Sequence, residues 1–224
     1  SHFKQPYSQG CLAAKVLMRG VNNFAAYEIF RNEGPLALLP LGNDIFQIIW
    51  SAPYHKCITR SKYDSALLLD ILATILPENI EPDAIIGEIS TFRLDIAIAP
   101  IVFKGAKIII GESAHRCHPV GGQGLNLCLR DIYTIYRLID FFGRKELTFL
   151  VPIIYSIVRL IDTIGVLITT HILIVVFSNK NPFLLFMRQV ILFVLRKVRL
   201  ARVLALSLMT YGYDPMTIIK NLSK

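Results

Sequence analysis

A glycine-rich segment, residues 111–126 (GESAHRCHPVGGQGLN), constrains the fold of this chain more than any other feature. It follows a short apolar run, AKIII, and precedes an amphipathic stretch that begins at Leu125. A short run that is apolar on both faces and closes on glycine is typical of a buried parallel strand. The sequence therefore predicts a strand over 107–110, a loop to Gly124 and a helix from about Leu125 to 142.

Within that predicted helix, apolar and polar residues separate at helical spacing. One face carries Leu125, Cys128, Leu129, Ile132, Ile135, Tyr136 and Ile139. The other face carries Arg130, Asp131, Thr134 and Arg137. Gly143 is placed to end the helix.

Two kinds of site fit the glycine-rich segment poorly. His115, Cys117 and His118 carry metal-binding side chains, but they crowd into four positions with no second ligand cluster, whereas zinc needs three or four ligands in a tetrahedron. A nucleophile elbow, G-x-S-x-G, fails at its last position, because residues 111–115 end in histidine where a sharp turn needs glycine.

A loop that holds an anionic or polar ligand fits better, although no lysine follows Gly124 as a Walker A motif requires. Gly121, Gly122 and Gly124 let backbone amides approach a ligand, and they precede the partly positive N-terminus of a helix. Glu112, directly after the strand, can accept hydrogen bonds from ribose hydroxyls. A glycine-rich connection without a ligand remains the alternative.

Composition limits the partners of the chain. Hydrophobic residues make up 54% and charged residues 18% of the 224 residues, against roughly 25% charged in an average soluble domain. A chain with so few charged residues buries most of its apolar surface in a core, forms oligomers or contacts lipid. Its net charge of +8 favours an anionic membrane surface over nucleic acid, for which the sequence has no binding motif. Four cysteines without CxxC spacing favour free thiols in a reducing compartment, so we expect a cytoplasmic protein.

The remaining patterns predict a mixed α/β (α+β) fold. Strands are expected at Leu12–Met18, over 34–44 and 45–52 around a Gly-Asn-Asp turn, and over 92–100. Helices are expected over 23–30 and from Ser61 to 76, where Ser61 and Asp64 resemble a capping box. Residues 147–210 have an almost wholly helical pattern. We expect three parts: a sheet part over 1–105, the strand-loop-helix over 106–143 and an apolar helical region over 144–224.

The apolar C-terminal third offers two candidate membrane segments. Thr163–Asn179 has seventeen residues without a formal charge, which is shorter than the roughly twenty of a membrane span, so a buried core helix is favoured. Arg188–Leu206 is different: as one helix, it would place Arg188, Arg196, Arg199 and Arg202 within ~120° of one another. A basic stripe on an apolar helix is typical of interfacial anchoring, and a core helix with one solvated face is the alternative.

The segment HPVGGQGLNLCLRDI resembles the second flavin motif of the class A FAD-dependent aromatic hydroxylases. Within that superfamily it is most similar to the ubiquinone-biosynthesis hydroxylases of the 2-octaprenyl-6-methoxyphenol hydroxylase type. The segments YSQGCLAAKV, FRNEGPLALLPL with IIWSAP, and FSNKNPFLLFMRQ extend the resemblance over about residues 7–189. The resemblance implies a partial FAD/NAD(P)-binding fold of the para-hydroxybenzoate hydroxylase type, with a substrate-domain sheet.

The resemblance also implies a role for each residue of the motif. Gly111 would end the strand beside the adenosine half of FAD, and Glu112, in place of the usual aspartate, would bind ribitol or ribose hydroxyls. Pro119 would lie over the flavin where oxygen reacts, as the catalytic position. The residues implied to contact the isoalloxazine ring are Gly121, Gly122, Gln123, Gly124, Leu125 and Asn126. His115 would be structural, bonded to backbone.

The implied activity is hydroxylation of a polyprenyl phenol in ubiquinone biosynthesis, through a flavin hydroperoxide formed from O₂ and FAD that NAD(P)H or another donor has reduced. The chain departs from the family pattern by lacking G-x-G-x-x-G, the FAD pyrophosphate cradle. We therefore expect the C-terminal portion of such a hydroxylase, or a split or decayed copy of one, peripheral to the inner membrane. The rival is a non-enzymatic, membrane-associated remnant that binds lipid or a partner chain carrying the missing FAD half.

Overall fold

The computed structural model describes residues 3–105, 107–144, 146–177 and 181–212. They form two compact units. The first, the sheet unit, is built on Pro6–Leu94. The second, the helical unit, is built on Asp95–Val176 together with residues 181–212. The glycine-rich segment lies in the helical unit.

The sheet unit is organised around a strongly hydrogen-bonded antiparallel sheet. Its strands are β1 (Phe3–Arg19), β2 (Tyr27–Ile29), β3 (Leu36–Gly42), β4 (Ile45–Pro53) and β5 (Glu81–Ile98), in the order β2-β3-β4-β1-β5. β1 pairs with β4 from Gln9↔Pro53 to Leu17↔Ile45. The predicted hairpin is confirmed: Asn43 and Asp44 connect β3 to β4 with φ angles of 53° and 59°, the left-handed geometry of tight hairpin turns.

Alternation along the strands places one row of side chains in the core. The β4 residues Phe46, Ile48 and Trp50 are buried, and the helices α1 (Tyr54–Arg60) and α2 (Ser65–Ala73) cover them through Cys57, Leu68 and Leu72. Burying each large apolar side chain contributes about 1.5–3 kcal/mol, so this layer holds the unit together. The helix predicted from Ser61 begins one turn later, because the Asp64 carboxylate accepts from the Leu67 amide at 2.7 Å and caps α2.

The helical unit begins within β5. The last residues of β5, Ala97 and Ile98, pair with β8 (His115–Arg116), and β6 (Phe103–Lys104) pairs with β7 (Lys107–Ile108). Four helices follow: α3 (Gln123–Gly143), α4 (Val151–Phe177), α5 (Pro182–Lys197) and α6 (Arg199–Tyr211). The expected mixed α/β class and the helical C-terminal region are confirmed. Ala106, where the predicted strand-loop-helix begins, and residues 213–224 lie outside the described residues.

Two predicted elements are wrong. The segment 23–30 contains the strand β2 rather than a helix, because Tyr27–Ile29 finds a partner in Leu36–Leu38 of β3. The strand over 107–110 is neither parallel nor buried: only Lys107 and Ile108 pair, antiparallel to β6, and Ile109 and Ile110 are exposed. A parallel strand needs layers on both faces. Among the described residues β7 has only its hairpin partner.

The faces of α3 are reversed relative to the ordinary amphipathic pattern. Its polar residues Arg130 and Asp131 are buried, whereas Leu125, at 69% exposure, begins an open apolar face. The other members of that face are Leu129, Ile132, Tyr136 and Ile139. Charged side chains therefore share the inner face of the helix with the buried Leu127, which points to a polar network beneath the glycine-rich segment.

The C-terminal helices differ from the two segments that the sequence predicts. Thr148–Phe177 is long and apolar enough to cross a membrane by length and composition, with a mean hydropathy of 2.2 and a third of its most apolar window buried. Arg188–Leu206 is not one helix, because Val198 adopts an extended conformation between α5 and α6. Arg202 of α6 donates to the carbonyl oxygen of Arg196 at 2.8 Å, so it caps the end of α5 instead of joining a continuous basic stripe.

Candidate flavin-facing loop and its buried ion network

The glycine-rich segment folds as two short 3₁₀ turns around β8 and then enters α3. The first turn, Gly111–Ser113, starts with Gly111 at φ 63°. The second, Val120–Gly122, ends in two consecutive left-handed residues, Gly121 at φ 70° and Gly122 at φ 62°. Residues with a Cβ rarely adopt this conformation, which explains why glycine stands at both positions. The turn delivers the chain directly to the first residue of α3.

The N-terminus of α3 is open on one side. No side chain caps it, and a Cβ at Gly122 or Gly124 would meet nothing within 4 Å. Leu125 is exposed beside them. Uncapped amides at a helix N-terminus carry partial positive charge, so they suit an oxygen acceptor or an anion. The predicted contact residues Gly122, Gly124 and Leu125 therefore share one accessible surface.

Other predicted site residues point elsewhere. Gln123 is buried, and its amide donates to the Gly121 carbonyl oxygen at 3.0 Å, so it braces the loop. The Asn126 amide donates to the Met209 carbonyl oxygen on α6, at 3.4 Å. Glu112 is exposed in the first turn, and Pro119 is half-buried immediately before the second.

Beneath the loop, Asp131 forms the centre of a buried network. Its carboxylate is fully buried, and one oxygen accepts from the Gly111 amide at 2.8 Å. The same oxygen lies 2.8 Å from His115 Nε2, and the other accepts from Arg159 Nε of α4 at 2.6 Å. Burial acts to raise the pKa of Asp131, but the bonds from His115 and Gly111 and the charge of Arg159 hold it below the usual value. His115 is thus bonded to a carboxylate rather than to backbone.

The network extends through Arg159 and Asp162, one turn apart on α4. Arg159 bridges Asp131 and Asp162 and donates to the Leu127 carbonyl oxygen at 3.2 Å. Arg130 of α3 donates to both oxygens of Asp162, at 2.8 and 2.9 Å, and to Gln123 Oε1 at 3.2 Å. Two buried cations therefore neutralise two buried anions. The hydrogen bonds of this network also connect α4 and the glycine-rich loop to α3.

The end of α6 closes the network. The Met209 carbonyl oxygen accepts from Arg130 Nη2 at 3.4 Å, and the Met209 methyl group lies 3.3 Å from where a Cβ of Gly121 would be. A Cβ at Gly212 would collide with Asp162 and Arg130. Three separate helices thus converge on the turn that precedes α3, and they hold its backbone in place before any ligand arrives.

His118 is also buried within the loop, and Cys117 beside it is half-buried. Burial lowers the pKa of His118 to about 4, and its Nδ1 accepts from the Val120 amide at 3.2 Å. Burial, with the neighbouring Cys128, raises the pKa of the Cys117 thiol to about 11, so it stays protonated at neutral pH. Within the described ranges, histidine, cysteine and carboxylate side chains form no group that could hold a metal ion.

The sequence patterns missed the network itself. Helical spacing places Arg130 and Asp131 on a polar face, and no local pattern predicts the roles of Arg159 and Asp162. A usable indication was present: these are the only charged residues of α4, three positions apart in a 27-residue apolar helix. Charged side chains in such a setting are rarely buried unless they are paired.

Comparison with known proteins identifies the family. A family model described as an FAD binding domain matches residues 10–142, more than half of the chain. An uncharacterized protein of Synechocystis is 33% identical over 125 residues, which cover 56% of this chain and 30% of that protein. The mouse mitochondrial ubiquinone biosynthesis monooxygenase COQ6 is 23% identical over 177 residues, covering 63% and 37%. The Escherichia coli 3-demethoxyubiquinol 3-hydroxylase is 25% identical over 126 residues, covering 56% and 32%.

Solved structures show the same fold at low identity. An anhydrotetracycline hydroxylase of Streptomyces rimosus, OxyS, superposes with a TM-score of 0.64 at 18% identity, over 96% of this chain and 43% of that one. The p-nitrophenol 4-monooxygenase PnpA of Pseudomonas putida gives 0.68 at 13% identity, over 95% and 56%. The match to the curated relatives spans about a third of their length. The chain belongs to the family of FAD binding domains, and its resemblance to the ubiquinone-biosynthesis hydroxylases is confirmed.

Proposed function

We propose that this chain carries the flavin-facing part of an FAD-dependent monooxygenase that hydroxylates a polyprenyl phenol in ubiquinone biosynthesis. The observation that carries the proposal is the open, uncapped N-terminus of α3 behind two left-handed glycines, held by the buried network. The names of the ubiquinone-biosynthesis relatives support the substrate class. When bound and reduced, FAD supplies the activation of O₂ from which one oxygen atom reaches the aromatic ring.

The residues present fit one side of FAD. The open space at Gly122 and Gly124 admits a planar ring against backbone, and the first amides of α3 suit a ring carbonyl that gains negative charge. Pro119, at the start of the same turn, is the residue proposed to border the reacting position. By the resemblance, the substrate would rest over the sheet that includes residues 34–50. The G-x-G-x-x-G motif of a pyrophosphate cradle does not occur in the 224-residue sequence.

A matched pair of variants tests this assignment. We expect the chain to bind riboflavin and FAD with equally weak affinity, because the loop contacts the ring while nothing here cradles the diphosphate. Gly124→Val should abolish binding of both, since a branched side chain blocks approach to the backbone. Gly143→Val is the control, because Gly143 is also helical and also faces open space. Quenching of flavin fluorescence during titration measures all six affinities.

Three outcomes would contradict the proposal. Stoichiometric, tight FAD binding would show that a phosphate cradle exists in this chain. Absence of riboflavin binding at millimolar concentration would show that the glycine-rich loop does not contact flavin. Equal binding by Gly124→Val and wild type would place any flavin elsewhere.

A second candidate function is a non-enzymatic scaffold that binds a partner chain. The exposed apolar face of α3 favours it, because five large side chains there lack a cover within the described part of the chain. The proposed occupant is a chain supplying the phosphate-binding half of FAD. Leu129→Glu with Ile132→Glu should then abolish association with that chain in size-exclusion chromatography. Without such association, and with riboflavin binding intact, this candidate fails and the first stands.

We also propose peripheral attachment to an anionic membrane through the exposed cations of α5 and α6. Arg196, Lys197 and Arg199 are all exposed around the break at Val198. Each basic side chain near an anionic surface contributes about 1 kcal/mol. The predicted four-arginine stripe is replaced by this three-residue cluster, since Arg202 is engaged with the end of α5.

A further inference from the structure

The outward face of α4 carries an unbroken row of large aliphatic side chains. Seven residues, each between 40% and 62% exposed, occupy it from one end of the helix to the other. They are Ile153, Ile157, Ile161, Ile164, Ile168, Ile172 and Val175. The row spans ~33 Å at 1.5 Å per residue. We call it the isoleucine row.

The spacing of the row makes it straight. Its members follow one another by four, four and three positions, and the pattern then repeats, which is an 11-residue period. An 11-residue repeat nearly matches the α-helix, so all seven side chains stay within a fan of about 100° along the whole helix. A straight row presents a flat apolar strip, and it does not wind around the helix as a heptad seam does.

The charged residues of α4 lie on the opposite side. Arg159 and Asp162 are both buried in the network under the flavin-facing loop. His171 is the single titratable group on the exposed side, at the edge of the row. The helix is therefore bound to its own unit by one face and exposes an apolar surface on the other.

We propose that the isoleucine row is a lipid contact: α4 lies in the plane of a bilayer with this row among the acyl chains. The inference rests on the proposed peripheral location at a membrane and adds an apolar contact that does not depend on the cation cluster. Length and hydropathy of the helix suit lipid, and the buried ion pairs of its inner face hold it against the protein instead of across the membrane. The cation cluster at the α5–α6 break supplies contacts for headgroups.

A second copy of the chain fits the row less well. Helix pairing in water is specified by charged residues that flank the apolar seam and by a heptad period. The row has an 11-residue period, and no charged residue flanks it, because both charges of α4 are buried. Lipid needs neither register nor flanking charge.

Flotation with vesicles tests the proposal. Wild-type protein should float with neutral phosphatidylcholine vesicles at high salt, because the contact is apolar. The triple variant Ile157→Glu, Ile161→Glu, Ile168→Glu should lower the bound fraction at least about tenfold. The control replaces three exposed apolar residues of the sheet unit, Phe24, Leu41 and Leu67, by glutamate, and it should float like wild type.

A parallel variant separates this inference from the attachment by cations. Arg196→Gln, Lys197→Gln, Arg199→Gln should lose only the extra binding that anionic lipid confers at low salt. If wild type gains nothing from anionic lipid, the cation cluster fails while the isoleucine row stands. The row itself is overturned if wild type does not float with neutral vesicles, if the control loses binding equally, or if sedimentation shows a dimer that the triple variant dissociates without any lipid binding.

Discussion

Arg159→Met should lower the free energy of unfolding by about 3–5 kcal/mol, because it leaves two carboxylates in the interior with too little positive charge. The Arg159 side chain is 4% exposed and contacts Asp131, Asp162 and the Leu127 carbonyl oxygen. Methionine fills a similar volume, so most of the loss is electrostatic and little is packing. Urea unfolding followed by circular dichroism measures the change.

The matched control is Arg144→Met, which removes an exposed pair with Asp140 one turn away on a helix surface. Such a pair contributes only about 0.3–0.5 kcal/mol. The double variant Arg159→Met, Asp131→Asn should regain much of the lost stability, since Asp131 is then neutral and Asp162 keeps Arg130. If the double variant is as unstable as the single one, unpaired charge is not the cause and the network is only packing.

The network has a functional consequence as well as a stability one. Gly111 is held by its hydrogen bond to Asp131, and the turn before α3 is held by Gln123, which Arg130 binds in turn. A planar ligand bound through backbone amides requires those amides to be in place in advance. Hydrogen exchange of the loop amides should therefore accelerate in Arg159→Met even under conditions where the protein remains folded.

Local patterns predicted the parts of the fold that local physics determines. The β3–β4 hairpin follows from alternation and from Asn43–Asp44, which tolerate the left-handed turn. The boundaries of α3 follow from a helical period that stops at Gly143. The motif around Gly121 predicted the open helix N-terminus. In each case the determining residues lie within a few positions of one another.

Contacts between distant residues were beyond those patterns. Asp131 binds Arg159, 28 positions away, and Arg130 binds Asp162, 32 positions away. The sequence of α3 taken alone therefore predicts an ordinary amphipathic helix. The break at Val198 contains neither glycine nor proline. It depends on Arg202 reaching back to the carbonyl oxygens of α5. A distant partner decided the first outcome, and a side chain six to seven positions along the chain decided the second.

Acid should destabilise this protein between pH 6.5 and 4 through His118. The unfolded side chain titrates near pH 6.5, whereas burial lowers the pKa in the folded state to about 4. Above pH 6.5 both states are neutral, and nothing is lost. As the pH falls, the unfolded state binds a proton that the folded state does not bind. The free energy of unfolding therefore declines by about 1.4 kcal/mol per pH unit, to a total of about 3 kcal/mol.

The surroundings of His118 explain why its ring stays unprotonated in the folded state. His118 is 1% exposed, and its Nδ1 accepts the Val120 amide hydrogen, which a protonated ring cannot do. The pKa of Asp131 is held below the usual 3.8. The stability that Asp131 contributes is therefore lost only below the pH range in which the contribution of His118 is lost. The two groups can therefore be separated along the pH axis.

His118→Asn should flatten the stability profile between pH 6.5 and 4, because the asparagine oxygen can still accept from the Val120 amide but does not titrate. Unfolding in urea at half-unit pH steps gives the profile. His171→Asn, on the exposed side of α4, is the control and should leave the slope intact. A slope that persists in His118→Asn would assign the acid sensitivity to another group.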